Sequence, residues 1–234
     1  MPDLRHRSRT PELMDGNDVS QHDFADCMAD LAKVNTVTLA RRPTLRFIAK
    51  AAASSPDRML TILDVGFGAG DMLRKTRLML RRSGRDARLI GIDLNPRSEP
   101  AAHAMTPSGM EIEWRTGDAF AMPPEDTPDL IISSLVTHHM DDAEIVHFLT
   151  WMEATAKLGW FVNDLHRSAV AWHGFTAMSA LARWHPFVRH DGPLSIARSF
   201  KREDWDRLLD EASVRQASVH WRFPFRYCVE RRRW

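Results

Sequence analysis

A strand that breaks into a glycine loop and restarts as a helix is written in Asp64-Val65-Gly66-Phe67-Gly68-Ala69-Gly70-Asp71. The residues before it, Met59-Leu60-Thr61-Ile62-Leu63, form an apolar run without alternation, which suits a strand covered on both faces. Glycine at 66, 68 and 70 lets the chain turn sharply and lets a ligand approach the backbone. Met72, Leu73, Thr76, Leu78, Met79 and Leu80 then recur at helical spacing. A helix start there favours negative charge on a ligand. A dinucleotide fingerprint, GxGxxG, would need glycine at position 71; Asp71 stands there, and its carboxylate would repel a pyrophosphate. A phosphate loop of the GxxxxGK[ST] type is absent.

Working outward, further strands are expected at residues 88–93, 110–115, 130–134 and 159–164. Helical stretches lie between them; the one from Asp141 carries Ile145, Val146, Leu149 and Met152 on one face. Strands alternating with helices predict an α/β, doubly wound, mostly parallel sheet. Residues 214–229 have β-rich composition and are expected to close the sheet, with an antiparallel last strand. Residues 168–182 read as helix, 183–200 as an irregular excursion around Pro186, Gly192 and Pro193, and 201–212 as an amphipathic helix presenting Trp205, Leu208, Leu209 and Ala212. At the other end, residues 1–20 are polar and charged and read as a flexible tail. Residues 21–55 read as an N-terminal helical cap of two helices divided at Pro43. The division expected is therefore tail 1–20, cap 21–55, and one domain over 56–234 with a lid-like insertion at about 168–200.

The 234 residues are 44% hydrophobic and 27% charged, enough to bury a real core and not the composition of a disordered, collagen-like or coiled-coil chain. The formal net charge of +1 argues against a nucleic-acid-coating role. Arg226, Arg231, Arg232 and Arg233 read as a solvated basic end interrupted by Glu230. Cys27 and Cys228 form no CxxC, so neither a zinc knuckle nor a disulfide scaffold is expected. No apolar run reaches 18 residues, and Met1-Pro2-Asp3-Leu4-Arg5 is not followed by a signal-peptide core; the expectation is a cytoplasmic protein with no membrane partner.

Asp93 follows Asp64 by 29 residues, about one strand-helix-strand unit, in Gly91-Ile92-Asp93-Leu94-Asn95-Pro96. Gly117-Asp118-Ala119 follows the third strand, and Ser133-Ser134-Leu135 with His138-His139 follows the fourth. GxGxG preceded by an acid, with these later motifs in order, resembles the class I S-adenosylmethionine-dependent methyltransferases, and the Phe200 to Ala212 stretch resembles that family's late helix. The resemblance runs from about residue 59 to the end and implies a Rossmann-like sheet. It implies S-adenosylmethionine as cofactor, S-adenosylhomocysteine as product, and no metal. On it, Asp64, Gly66, Phe67, Gly68 and Gly70 hold the methionine end, Asp93 with Leu94 takes the ribose hydroxyls, Asp118 with Ala119 reads adenine, and Ser134 lines the pocket. The short, proline-flanked stretch after Asp93 departs from the family pattern and leaves the adenine pocket open.

The reaction implied is in-line displacement at the methyl group, so the protein mainly aligns the acceptor and removes a proton. His139 and His166, both at strand ends facing the sheet's carboxyl edge, are the candidate bases; His138, Trp172 and His190 are candidate acceptor contacts. Each also has a plain structural reading: a hydrogen-bonded histidine, a packed helix face, or an ordinary turn at His190-Asp191. Asn35 and Arg41 in the cap are possible cofactor or substrate contacts. Trp172, Phe175, Met178, Trp184 and Phe187 suit a planar or lipid-like acceptor. The expected acceptor is a small molecule with a phenolic or polyketide/quinone-type hydroxyl, handled by a monomer or homodimer. No (N/D)PP(Y/F) tetrapeptide stands near the fourth strand, which counts against amino-directed enzymes. The rivals are a NAD-dependent oxidoreductase on the same sheet, a non-catalytic partner module, and an RNA methyltransferase.

Overall fold

The computed structural model describes residues 2–16 and 18–234. Seven strands form one sheet in the order β3-β2-β1-β4-β5-β7-β6. They are β1 (Leu60–Val65), β2 (Ala87–Asp93), β3 (Ile112–Thr116), β4 (Leu130–Ser134), β5 (Gly159–Leu165), β6 (Ser218–Arg222) and β7 (Arg226–Arg232). The first five run parallel; β7 is antiparallel to both β5 and β6. The chain moves one way from β1 to β3, then returns to the other side of β1 with β4. A crevice opens at that reversal, above the carboxyl ends of β1 and β4.

The alternation of side chains on each strand feeds two cores. Leu63, Val65, Ile90, Ile92 and Ile131 point to one face, where α5 (Asp142–Thr155) and α8 (Arg202–Glu211) pack through Phe148, Leu149 and Trp205. Leu60, Ile62, Leu89, Leu130 and Ile132 point to the other, covered by α2 (Arg42–Ser54) and α3 (Asp71–Arg82). α5 starts on a capping box in which Asp141 and Glu144 satisfy each other's backbone N–H. α3 places Asp71 in its first turn and Arg81 and Arg82 in its last, matching the helix dipole. Between β2 and β3 stands a single short helix, α4 (Ser98–Met105).

α3 begins on Gly70, which has φ +75°; a Cβ there would collide with the Trp114 indole. Gly70→Ala is expected to cost at least about 1–2 kcal/mol from the left-handed backbone alone, with the collision added, read as a lowered urea midpoint.

Two expectations from the sequence need correction. Residues 183–200 are not an irregular excursion: most of them form α7 (Pro186–Arg198), paired with α6 (Ala169–Leu181). Pro186 occupies the first turn, where its missing N–H costs nothing, and His185 caps it by accepting from Phe187 N–H. Gly192 lies within this helix because the Phe175 ring occupies the place of a Cβ. Pro193 forfeits one helical hydrogen bond but is buried.

Residues 1–20 are not a loose tail in their described part. Arg7 pairs with Asp142 at 2.6 Å, donates to the Met140 carbonyl at 2.7 Å and lies over the Phe200 ring. Ser8 N–H donates to the Ala197 carbonyl, and Leu13 and Met14 N–H both donate to Asp191 at 2.9 Å. The segment is a strap across α7, held by polar contacts that carry no hydrophobic periodicity. Among the described residues no helix is long and apolar enough to cross a membrane.

Candidate active site

The crevice is shaped by backbone first. Gly66, Gly68 and Gly70 all have positive φ, so the loop between β1 and α3 stays low. A Cβ on Gly66 would strike Val136, so the narrow passage between β1 and the turn after β4 exists only with glycine there. Phe67 packs against Trp114 with tilted rings whose centroids are 4.8 Å apart, and so supports the loop.

Asp93 ends β2 and points at that loop. One carboxylate oxygen accepts from Gly68 N–H at 2.8 Å and the other from Asn95 N–H at 2.9 Å. Burial raises its carboxyl above the usual range, while those N–H groups and Ser98 oppose the rise. With Gly68, Asn95 and Ser98 as donors, the carboxylate keeps one acceptor site for a ligand hydroxyl while it organises the loop. Asp93→Ala is expected to weaken S-adenosylhomocysteine binding by about 1–3 kcal/mol, because a charge-assisted bond to a ribose hydroxyl would go and the Gly68 and Asn95 N–H groups would lose their acceptor; calorimetry with unchanged affinity would remove the role.

A small cleft of about 30 Å³ opens at the end of β1, lined by Asp64, Asp71, Arg41, Ser134, Asn163 and Arg226 among others. Asp71 is gripped by Arg41 and by Asn35 at 3.2 Å, so the cap helix α1 (Gln21–Val37) and the turn after it are tied to the glycine loop. Asp64 is buried without a hydrogen-bond partner among the described residues. Burial, with the like charges of Asp71 and Asp93, pushes its carboxyl well above the usual range. A carboxyl in that state holds its proton unless a cationic group is brought against it.

The cleft shares Gly66, Phe67, Ser134, Leu135 and Arg226 with a neighbouring cavity of about 720 Å³. Its apolar walls come from α1, α6 and α7, with Leu31, Phe175, Met178 and Phe187 among them. Its polar end is built by His138 and His139, which follow β4, and by Glu12 on the strap. Both rings have Nδ1 on a carboxylate: His138 on buried Asp164 at 2.7 Å, His139 on Asp15 at 2.9 Å. Both Nε2 atoms face the Glu12 carboxylate, at 3.7 and 3.9 Å. Glu12 is itself buried and accepts from Ser195 Oγ at 2.8 Å. Burial alone would lower the pKa of His139, but the Asp15 hydrogen bond and the charges of Glu12 and Asp15 outweigh it and raise it. Burial alone would raise Asp164, but the His138 ring, the Thr137 hydroxyl and Leu165 N–H hold it down at about 2. The result is two imidazoles with fixed orientation, each turning Nε2 toward Glu12 at the cavity wall.

The residues singled out in the sequence divide cleanly. Gly66, Phe67, Gly68, Asp93, Leu94, Ser134, His138 and His139 line the large cavity, and Asp64 lines the cleft. Gly70 shapes the loop without lining either. Asp118 and Ala119 stand past β3 outside both linings; Asp118 is exposed and caps the following turn through Phe120 N–H. His166 does not line the cavity either: its ring lies against Tyr227 and its Nδ1 faces Trp221 Nε1 at 3.3 Å. One residue beyond β5, it falls on the opposite side of the sheet from Leu165, which does line the cavity. Trp172 packs edge-on against His173 away from the cavity, whose wall on α6 is Phe175 and Met178. His190 is over half exposed and bonds its neighbour Asp191, which holds the strap. Sequence reasoning missed Glu12, Asp15 and Arg226. Arg226, taken with the basic end as solvated, is buried at the start of β7 and lines both spaces.

With that geometry in place, residues 62–159 match the family model described as a methyltransferase domain. A stretch of 63 residues is 40% identical to the 2-phytyl-1,4-naphthoquinone methyltransferase of Thermosynechococcus vestitus, covering 27% of each chain. The match thus spans about a quarter of that relative's length. The plantazolicin methyltransferase BpumL in complex with SAH is similar with a TM-score of 0.63 at 13% identity, over 92% of this chain and 93% of that one. The magnesium protoporphyrin IX methyltransferase of Synechocystis PCC 6803 with bound SAH is similar with a TM-score of 0.53 at 15% identity, over 84% of each.

Proposed function

We propose that this chain, whose residues 62–159 match the methyltransferase-domain model, is a class I S-adenosylmethionine-dependent methyltransferase that methylates the hydroxyl of a small phenolic or quinone-type acceptor. The observation that carries the reading is the shared wall of the two spaces. The small cleft at buried Asp64 shares Gly66, Phe67, Ser134, Leu135 and Arg226 with a largely apolar cavity of about 720 Å³, whose lining includes Gly68, Asp93 and the two oriented histidines. When bound, S-adenosylmethionine supplies an electrophilic methyl group on a sulfonium. The chain's own work is alignment and proton removal. Asp93 takes a ribose hydroxyl, the Gly66–Gly68 turn lets the cofactor close on the backbone, and Ser134 and Leu135 floor the passage. Phe175, Met178 and Phe187 hold a flat apolar acceptor, and His139 Nε2 takes its hydroxyl proton while Asp15 fixes the imidazole. His138, anchored by Asp164, positions the acceptor oxygen. Asp71, held by Arg41 and Asn35 where a pyrophosphate would need room, argues against a dinucleotide.

Calorimetric titration with S-adenosylmethionine, S-adenosylhomocysteine and NADH tests this. Micromolar binding of the first two and none of the third is expected. Binding of NADH alone would replace the reading with a nicotinamide enzyme, and binding of none would leave a fold that has lost its cofactor.

A further inference from the structure

Arg226 is the first residue of β7, opposite Leu165 on β5. Its side chain is almost wholly enclosed, at 3% relative exposure for the residue. Nε and Nη1 have no hydrogen-bond partner among the described residues, and no carboxylate there forms an ion pair with it. The carboxylate whose charge it feels is Asp164, but both oxygens of Asp164 are already engaged by Thr137, His138 and Leu165. Burial pushes the guanidinium down to about 10, which still leaves it charged at neutral pH. A buried cation without a partner is costly to the fold, and a ligand that supplies the counter-charge removes that cost. The place of Arg226 says where that ligand lies: it lines both the small cleft beside Asp64 and the large cavity beside Leu165 and Phe225.

We propose that Arg226 is an anion anchor that binds a carboxylate at the junction of the two spaces. Its planar fork of N–H donors matches the two oxygens of a carboxylate. Two carboxylates could reach it. One is the methionine carboxylate of the cofactor, whose ammonium would then face Asp64 across the cleft. The other is an acidic group on the acceptor, lying in the large cavity. The inference rests on the methyltransferase reading for the first source and not for the second.

The test uses the whole chain, wild type, Arg226→Met and Arg226→Lys. In the cofactor arm, each is titrated with S-adenosylhomocysteine and with its decarboxylated analogue. In the acceptor arm, each is titrated with 4-hydroxybenzoate and with phenol, with S-adenosylhomocysteine present if it binds. Wild type is expected to prefer the carboxylate-bearing ligand by roughly tenfold or more in one arm. Arg226→Met is expected to lose that preference, and Arg226→Lys to keep part of it. The arm in which this happens names the source. Absence of a preference in both arms of the wild type, or a preference that survives in Arg226→Met, overturns the proposal. Thermal unfolding of the ligand-free proteins separates an anchor from a structural arginine. Removing an unpaired buried charge is expected to leave the midpoint of Arg226→Met equal or higher, whereas a structural role would lower it. If S-adenosylhomocysteine does not bind wild type at all, the methyltransferase reading fails, and the acceptor arm still decides the fate of Arg226.

Discussion

His139→Ala is expected to lower turnover by about 10²- to 10⁴-fold, read as S-adenosylhomocysteine release, while affinity for S-adenosylhomocysteine stays within about twofold. The asymmetry follows from position. His139 lines the cavity where the acceptor would lie, and none of its hydrogen bonds reaches the glycine loop. A phenolic oxygen attacks well only as its proton leaves, and His139, whose side chain is partly exposed in the cavity wall, keeps Nε2 free of a hydrogen bond among the described residues, 3.9 Å from Glu12. The pH profile should show the same group. A base must be neutral, and Asp15 with Glu12 raises the pKa of His139 above its ordinary value of 6.5. So kcat/KM is expected to climb with pH through an inflection above 6.5. Asp15→Asn keeps the shape but removes one charge, so the inflection should move down, towards the direction burial imposes. An Asp15→Asn profile identical to wild type would take the base role from His139.

What the sequence revealed and what it hid follow one physical rule. The strands and the glycine loop announce themselves through local pattern: an unbroken apolar run at β1, glycine where φ must be positive, and acids at strand ends. Asp64, Asp93, His138 and His139 were legible because each sits within a few residues of a strand terminus, and the sheet brings strand ends together. Glu12 and Asp15 reach the same spot from a polar strap whose anchors, Asp191, Ser195 and Asp142, are more than a hundred residues away. No local period encodes such contacts. Arg226 was hidden for a related reason. Beside Arg231, Arg232 and Arg233 it has the composition of a solvated end, and only its pairing with β5 turns it inward. The helix α7 was disguised by Gly192 and Pro193, which break isolated helices but here answer to the Phe175 ring and to burial. His166 erred by one residue: in a strand of period two, that is enough to change faces.

Asp164→Asn is expected to destabilise the fold by about 3–5 kcal/mol at neutral pH, measured by urea unfolding. Its four hydrogen bonds set the size. One oxygen accepts from His138 Nδ1 and Leu165 N–H, each at 2.7 Å; the other accepts from Thr137 Oγ1 at 2.5 Å and His138 N–H at 3.0 Å. An amide can satisfy only one of these pairs. Whichever way it turns, its NH₂ group meets two donors, and an unsatisfied buried donor costs about 1–3 kcal/mol. The loss should depend on pH with a definite sign. The carboxyl titrates at about 2 in the fold, against an ordinary 3.8. Its stabilisation is therefore fully present above 3.8 and drains away as pH falls towards 2, an amount on the order of 2 kcal/mol. The gap between wild type and Asp164→Asn should accordingly stay constant from pH 7 to 5 and narrow below 4; a gap that does not change would mean that the carboxylate's charge is not what holds this turn. Because Asp164 fixes the His138 ring and the backbone of the same turn, activity and stability are expected to fall together in this variant. In His139→Ala they should separate, and that contrast distinguishes the residue that builds the site from the one that uses it.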